Sequence, residues 1–160
     1  MFGFLSRPLV DGLSARDSDA LAEIHRDAFQ RNWSAHDLVA LLSEPTVFAL
    51  GLRLRPVIGS PRLVGFVLVR FAADEAEILT IAVLSRYRRR GLGRMLMDDV
   101  LRRLYREHVA ALFLEVDSAN ASAVRLYRRL GFVVAGERRN YYSAPHQGDG
   151  TALVMRLHIR

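Results

Sequence analysis

The sequence predicts a mixed α/β sheet: an antiparallel meander, then a parallel strand–helix–strand crossover, with helices on both faces. Three observations predict it. The strand-like runs Thr46–Leu54, Leu63–Ala72 and Ala76–Val83 follow one another with only turn-forming stretches between them. The last run leads through Arg88-Arg89-Arg90-Gly91-Leu92-Gly93-Arg94 directly into a helix-like run. A short apolar run, Ala111–Val116, returns after that helix, and a unit of this kind closes as a parallel crossover. With 160 residues, the chain reads as a single domain, 1–160, large enough for a real core.

Each element has its own local reason. Asp17 or Ser18 caps a helix running to about Gln30, with Leu21, Ile24, His25, Ala28 and Phe29 on one face. Ser34 opens a second, short helix; Asp37 three residues on resembles a capping box, and Leu38, Leu41 and Leu42 form its apolar stripe. The stretch Arg55–Arg62 holds two prolines and a glycine and reads as a loop, and Ala73-Asp74-Glu75 reads as a turn. The helix from Leu92 carries Leu96, Val100 and Leu104, with Met97 and Leu101 beside them. Asp117-Ser118-Ala119-Asn120 offers N-caps for a helix ending near Leu130, and Gly131 is its stop. Phe132–Ala135 and Thr151–Ile159 read as the last two strands, joined by a polar and aromatic connection, Arg138–Gly150.

Composition excludes several classes. Half of the chain is apolar (51%), which argues for a folded core. No apolar run approaches the ~20 residues of a membrane span. The apolar start Met1–Leu5 is too short for a secretion signal, and its first arginine, Arg7, follows it; the expected location is the cytoplasm, away from membranes. Cysteine is absent, which removes disulfides, a thiolate nucleophile and sulfur-bound zinc. None of the five histidines pairs with another at i, i+4, so no catalytic metal is expected. The net charge is +6 and every basic residue is arginine, which suits either a codon bias or an anionic partner: a polyphosphate cofactor, RNA or a ribosomal surface. No zinc-finger or RNP motif accompanies the charge, so direct nucleic-acid binding is not expected.

The glycine-rich turn points to a phosphorylated cofactor. Glycines let backbone approach an anion, the first turn of the helix offers free N–H groups, and the macrodipole favours negative charge there. Five arginines lie within residues 86–94, and cations at a helix N-terminus oppose the dipole unless an anion is near. A P-loop requires Gly-Lys-Ser/Thr, and the chain has no lysine. A dinucleotide fingerprint requires three glycines and an acidic ribose ligand at the end of the next strand, and here only Gly91 and Gly93 are present.

The pattern Arg88-x-x-Gly91-x-Gly93 resembles the coenzyme A pyrophosphate signature of the GNAT N-acetyltransferase superfamily. Leu114-Glu115-Val116, Asn120 and Leu126-Tyr127-x-x-Leu130-Gly131-Phe132 resemble that superfamily's second half. Arg138-Arg139-Asn140-Tyr141-Tyr142, with Asp74-Glu75-Ala76 and Ile81-Ala82-Val83, is similar to the RimI-like branch, the ribosomal-protein N-terminal alanine acetyltransferases. The resemblance runs from about residue 74 to the C-terminus and is looser over 17–72. It departs from the branch at Asn32, where proline is usual, at Leu84-Ser85, where Asp-Pro is usual, and in the long Arg55–Arg62 loop. These departures leave the acceptor open.

The resemblance implies a GNAT-like fold, acetyl-CoA as donor and a set of site residues. The main chain of Ile81, Ala82 and Val83 would pair with the pantetheine arm and the acetyl oxygen; their side chains read as plain sheet core. Arg88, Arg89, Arg90, Gly91, Leu92, Gly93 and Arg94 would hold the pyrophosphate. Glu115, by residue type alone a solvent-facing strand-end carboxylate, would be the general base, and an α-amine with a pKa of about 8 is within reach of such a base. Tyr127, otherwise an amphipathic core residue, would be the general acid for the leaving thiolate. It lies seven residues after Asn120, about two helical turns, so the two share a face; Asn120 would cap its helix and touch the cofactor. Trp33, Tyr141 and Tyr142 would line the acceptor groove, although core packing explains Trp33 and Phe29 equally well. The implied reaction is direct transfer from acetyl-CoA to the N-terminal α-amine of a protein, in a ternary complex, since a cysteine acyl-enzyme is impossible here. The alternatives are a small-molecule amine or lysine acceptor, or a non-catalytic acyl-CoA-binding module.

Overall fold

The first strand of the sheet lies where the sequence gives no strand pattern. A computed structural model of the chain describes residues 6–29, 33–56, 58–139 and 150–160. Its elements are β1 (Ser6–Gly12), α1 (Ser18–Ala28), α2 (Ala35–Leu42), β2 (Val47–Pro56), β3 (Arg62–Ala72), β4 (Glu75–Val83), α3 (Leu92–Arg106), β5 (Ala111–Asp117), α4 (Ala121–Leu130), β6 (Val133–Arg138) and β7 (Ala152–His158). The hydrogen-bonded strand order is β1-β2-β3-β4-β5-β7-β6. The meander is present, and β4 pairs with β5 in parallel, as a crossover requires. The described residues form two units, one reaching to Arg70 and including Leu79–Arg103, the other made of Phe71–Ile78 and the chain from Leu104 onward. β4 runs through both.

In the first unit, β1 pairs antiparallel with β2 along its whole length. This pairing defines β1, because Arg7, Pro8, Asp11 and Gly12 give no local strand signature. It also carries β2 out to Pro56, two residues into the expected loop. β3 is a nearly continuous buried run, Val64–Val69. Helix α1 ends at Ala28 rather than near Gln30, which lies outside the described residues. Asp17 is its N-cap, but its carboxylate serves Ser14, whose N–H donates to Oδ2 at 2.9 Å. Helix α2 has the expected capping box: Asp37 N–H donates to Ser34 Oγ at 3.1 Å, and Ser34 N–H to Asp37 Oδ2 at 3.0 Å. Leu21, Ile24, Leu38, Phe66 and Leu68 build the core of this unit.

Gly65 sets how closely β3 approaches the end of β4. A Cβ there would sit 3.0 Å from the Ala82 carbonyl oxygen and 3.2 Å from Val83 Cγ2. In the second unit, β5 pairs with the N-terminal part of β4 on one side and with β7 on the other, and β6 is the edge. Gly131 ends α4 in the left-handed region (φ 104°), where only glycine sits without cost. Gly65→Ala is expected to destabilise the protein by about 1–3 kcal/mol, because the added methyl must push β4 away. A thermal melt checks this as a lowered midpoint.

Candidate active site

In the first unit, helix α3 and the segment before it carry one group of candidate residues. The parallel ladder between β4 and β5 covers only Glu75–Glu77. Ile81, Ala82 and Val83 lie beyond that ladder; the Ala82 carbonyl faces Gly65 of β3, and the Val83 carbonyl accepts from Arg88. A single 3₁₀ turn, Ser85–Tyr87, follows. Gly91 has φ 74°, and nothing lies within 4 Å of where its Cβ would be. The first bond of α3 runs from Met95 N–H to the Gly91 carbonyl at 3.1 Å, so the N–H groups of Leu92, Gly93 and Arg94 precede it. No acidic residue stands in that first turn.

The structure sorts the five arginines. Arg86 and Arg90 lie over the Tyr87 ring, 5.2 and 5.4 Å from its centre. Arg88 Nε donates to the Val83 carbonyl at 3.1 Å. Arg94 pairs with Asp98 one turn along α3, at 3.2 Å. Arg89 is exposed, sits at φ 62°, and has no partner among the described residues. A left-handed arginine is uncommon, and such outliers gather at functional turns. The turn therefore offers a diphosphate one unpaired arginine, a glycine with open space above it and a helix N-terminus. Those features fit an anion of that kind.

The second unit carries its own group of candidate residues, on β5 and α4. Glu115 sits on the exposed face of β5, opposite the buried Leu114 and Val116. Its Oε1 lies 3.1 Å from Arg138 Nη2. Register explains the pair: β7 lies between β5 and β6, with Val154 beside Glu115 and Ala152 beside Arg138, so the arginine reaches diagonally across β7. Arg138 thus pairs with the Glu115 carboxylate, a contact that its place in the sequence did not disclose. Asn120 is the N-cap of α4; its Oδ1 accepts from Ala123 N–H and from Ser122 Oγ, both at 3.2 Å. It thus precedes the helix rather than sharing a face within it, and its amide NH₂ has no partner among the described residues.

Tyr127 is 6% exposed and packs edge-on against Phe132, ring centres 5.7 Å apart. The left-handed Gly131 turns the chain so that Phe132 N–H donates to the Tyr127 carbonyl at 3.0 Å, which brings the two rings together. Burial pushes the Tyr127 phenol up to about 12. The group therefore keeps its proton at any physiological pH and is a donor, never a base.

On the first unit, Trp33 stacks on His25, ring centres 5.0 Å apart and 8° from parallel, with Phe29 4.5 Å away on the imidazole. Trp33 N–H donates to His25 Nδ1 at 3.2 Å. Trp33 thus has a packing role as well as its candidate acceptor role. Tyr141 and Tyr142 lie outside the described residues. Among the described residues no three His, Asp or Glu side chains gather to hold a metal, and no helix is long and apolar enough to cross a membrane.

The model of the acetyltransferase (GNAT) family matches residues 18–132. The chain belongs to the GNAT acetyltransferase family. As a member it is an acetyl-CoA-dependent N-acetyltransferase. Ribosomal protein bS18-alanine N-acetyltransferase of Salmonella typhimurium is 37% identical over 147 residues, 92% of this chain and 95% of that protein. The protein of the same name from Haemophilus influenzae is 32% identical over 151 residues, 94% of this chain and 99% of its own length. The crystal structure of the ribosomal-protein-S18-alanine N-acetyltransferase from Escherichia coli superposes with a TM-score of 0.85 at 31% identity, covering 96% of this chain and 94% of that one. Ard1 from Thermoplasma volcanium superposes at 0.81 with 27% identity, over 96% and 98%.

His25 makes the α1–α2 region of this acetyltransferase sensitive to pH. Burial lowers its pKa from 6.5, and its Nδ1 is an acceptor only while neutral. The unfolded chain takes up that proton near 6.5, the native protein only at lower pH. The stability that His25 contributes is complete above 6.5 and is lost as pH falls through the native value. Melts taken between about pH 5 and 7.5 are expected to show this loss in the wild type and a flatter profile in His25→Asn. Fluorescence of Trp33, the sole tryptophan, is expected to follow the same transition.

Proposed function

We propose that this GNAT acetyltransferase modifies the N-terminal α-amine of a ribosomal protein that begins with alanine, in the cytoplasm. The observation that carries the proposal is the near full-length likeness to relatives whose names state that acceptor. The site's chemistry supports it. Acetyl-CoA supplies an acetyl group already activated as a thioester. Main-chain groups of Ile81, Ala82 and Val83 orient the acyl arm. Arg89, Gly91 and the N–H groups of Leu92, Gly93 and Arg94 hold the diphosphate, while Arg88 and Arg90 brace the turn from within. The Asn120 amide adds a contact to the donor.

Glu115 removes the proton from the incoming amine, directly or through one water, with Arg138 paired to its carboxylate. An α-amine has a pKa of about 8 and a lysine about 10.4, so a carboxylate completes the deprotonation of the first far more readily. Tyr127 donates its hydroxyl proton to the sulfur as the C–S bond breaks and the thiolate departs; a phenol held at about 12 still carries that proton when the step begins. Trp33, Tyr141 and Tyr142 line the acceptor side. Nothing in this scheme requires a metal, nucleic acid or a membrane.

Mass spectrometry of peptides tests the reading. Peptides beginning with alanine are expected to gain one acetyl group, and the same peptides blocked at the N-terminus to gain none. Acetylation of internal lysine in the blocked peptides, with none on free alanine, would overturn it. Glu115→Gln and Tyr127→Phe are each expected to lower kcat by about 100-fold or more, with the KM for acetyl-CoA nearly unchanged. Steady-state kinetics on the alanine peptide read both.

A further inference from the structure

We infer that Asp27, on α1, is a positioning residue for acetyl-CoA binding; this rests on the reading of the Arg88–Arg94 turn given above. Asp27 Oδ2 accepts from Ser85 N–H at 2.7 Å, and its Oδ1 accepts from Ser85 Oγ at 3.1 Å. Ser85 opens the 3₁₀ turn between β4 and α3, so its N–H has no partner inside that turn and without Asp27 would turn to water. The same carboxylate lies 4.0 Å from Arg88 Nη2, and Arg88 Nε donates to the Val83 carbonyl. One side chain therefore engages both the first residue of the 3₁₀ turn and the arginine that caps the strand's last carbonyl. Leu84 N–H, bonded to the Val64 carbonyl at 2.8 Å, anchors the same segment from β3.

These bonds set the origin of the ligand-facing part of the turn. Arg88 is drawn back to β4, and the left-handed Arg89 and Gly91 follow from that fixed point. Asp98, the partner of Arg94, belongs to α3 itself. Asp27 comes from an element that is distant in sequence, 58 residues from Ser85, and ties α1 to the turn.

Charge and positioning predict opposite signs here, which makes the inference testable. A carboxylate beside an anion site repels the anion, so removing it would tighten binding if Coulomb repulsion were its main effect. If Asp27 acts by holding the turn, removing it weakens binding, and an amide that keeps one acceptor oxygen preserves it.

Calorimetric titration with coenzyme A separates the two. Asp27→Ala is expected to raise Kd about 10-fold, the scale of one lost charge-assisted bond, while Asp27→Asn stays within about 3-fold of wild type. The KM for the acceptor peptide, and kcat at saturating acetyl-CoA, are expected to remain within about 2-fold, a split that general destabilisation would not give. A folded Asp27→Ala that binds coenzyme A as tightly as wild type, or more tightly, overturns the inference. Where Asp27→Ala does not fold, Ser85→Pro carries the test. It deletes both donors to Asp27, and Leu84, at ψ 137°, already has the extended backbone that precedes proline. A raised Kd supports the inference and an unchanged Kd overturns it. Failure of wild type to bind coenzyme A would instead remove the reading of the turn itself.

Discussion

Positive charge at the N-terminus of a helix is electrostatically unfavourable, because the macrodipole and the leading N–H groups already make that end positive. Helix α3 begins under five arginines, with no acidic residue in its first turn. The chain meets the cost partly from within. Tyr87 takes Arg86 and Arg90, the Val83 carbonyl takes Arg88, and Asp98 takes Arg94. Arg89 is exposed, and it stands with Gly91 and the first N–H groups of α3 as the proposed place for an anion. In a GNAT acetyltransferase the proposed anion is the diphosphate of acetyl-CoA.

The neighbouring elements serve that turn. Gly65 lets β3 press close to the Ala82 carbonyl, so the end of β4 is held from behind. The ladder with β5 ends at Glu77, and the proposed place for the acyl arm is the stretch of β4 beyond it. In the second unit the same economy holds on a smaller scale. Gly131 both ends α4 and brings Phe132 against Tyr127, and burial raises the phenol further above its ordinary value, to about 12. Arg138 reaches across β7 to pair with Glu115.

What the sequence disclosed was whatever is decided locally. The capping box of Ser34 and Asp37, the left-handed stop at Gly131, the apolar stripe of α3 and the glycine turn each depend on residues a few positions apart. What it did not disclose depends on distant partners. β1 is a strand because β2 offers it an edge; Arg7, Pro8, Asp11 and Gly12 around Leu9 and Val10 give it no strand pattern of its own. Asp27 meets Ser85 across 58 residues, and Arg138 meets Glu115 across an intervening strand. The five arginines looked alike in sequence. Their separation into four braced side chains and one outward-facing one follows from Tyr87, Val83 and Asp98, whose positions only the fold sets. The resemblance supplied the roles of Glu115 and Tyr127, which residue type alone left open.

The most direct test of the central claim reads the phosphorus atoms. Coenzyme A carries a diphosphate and a separate 3′-phosphate, which give distinct ³¹P resonances. On titration with the protein, the diphosphate resonances are expected to shift and broaden to saturation, and Gly91→Val is expected to abolish the effect. Diphosphate resonances that stay unchanged while the 3′-phosphate moves, or a Gly91→Val protein that shifts them as wild type does, would contradict the assignment of this turn.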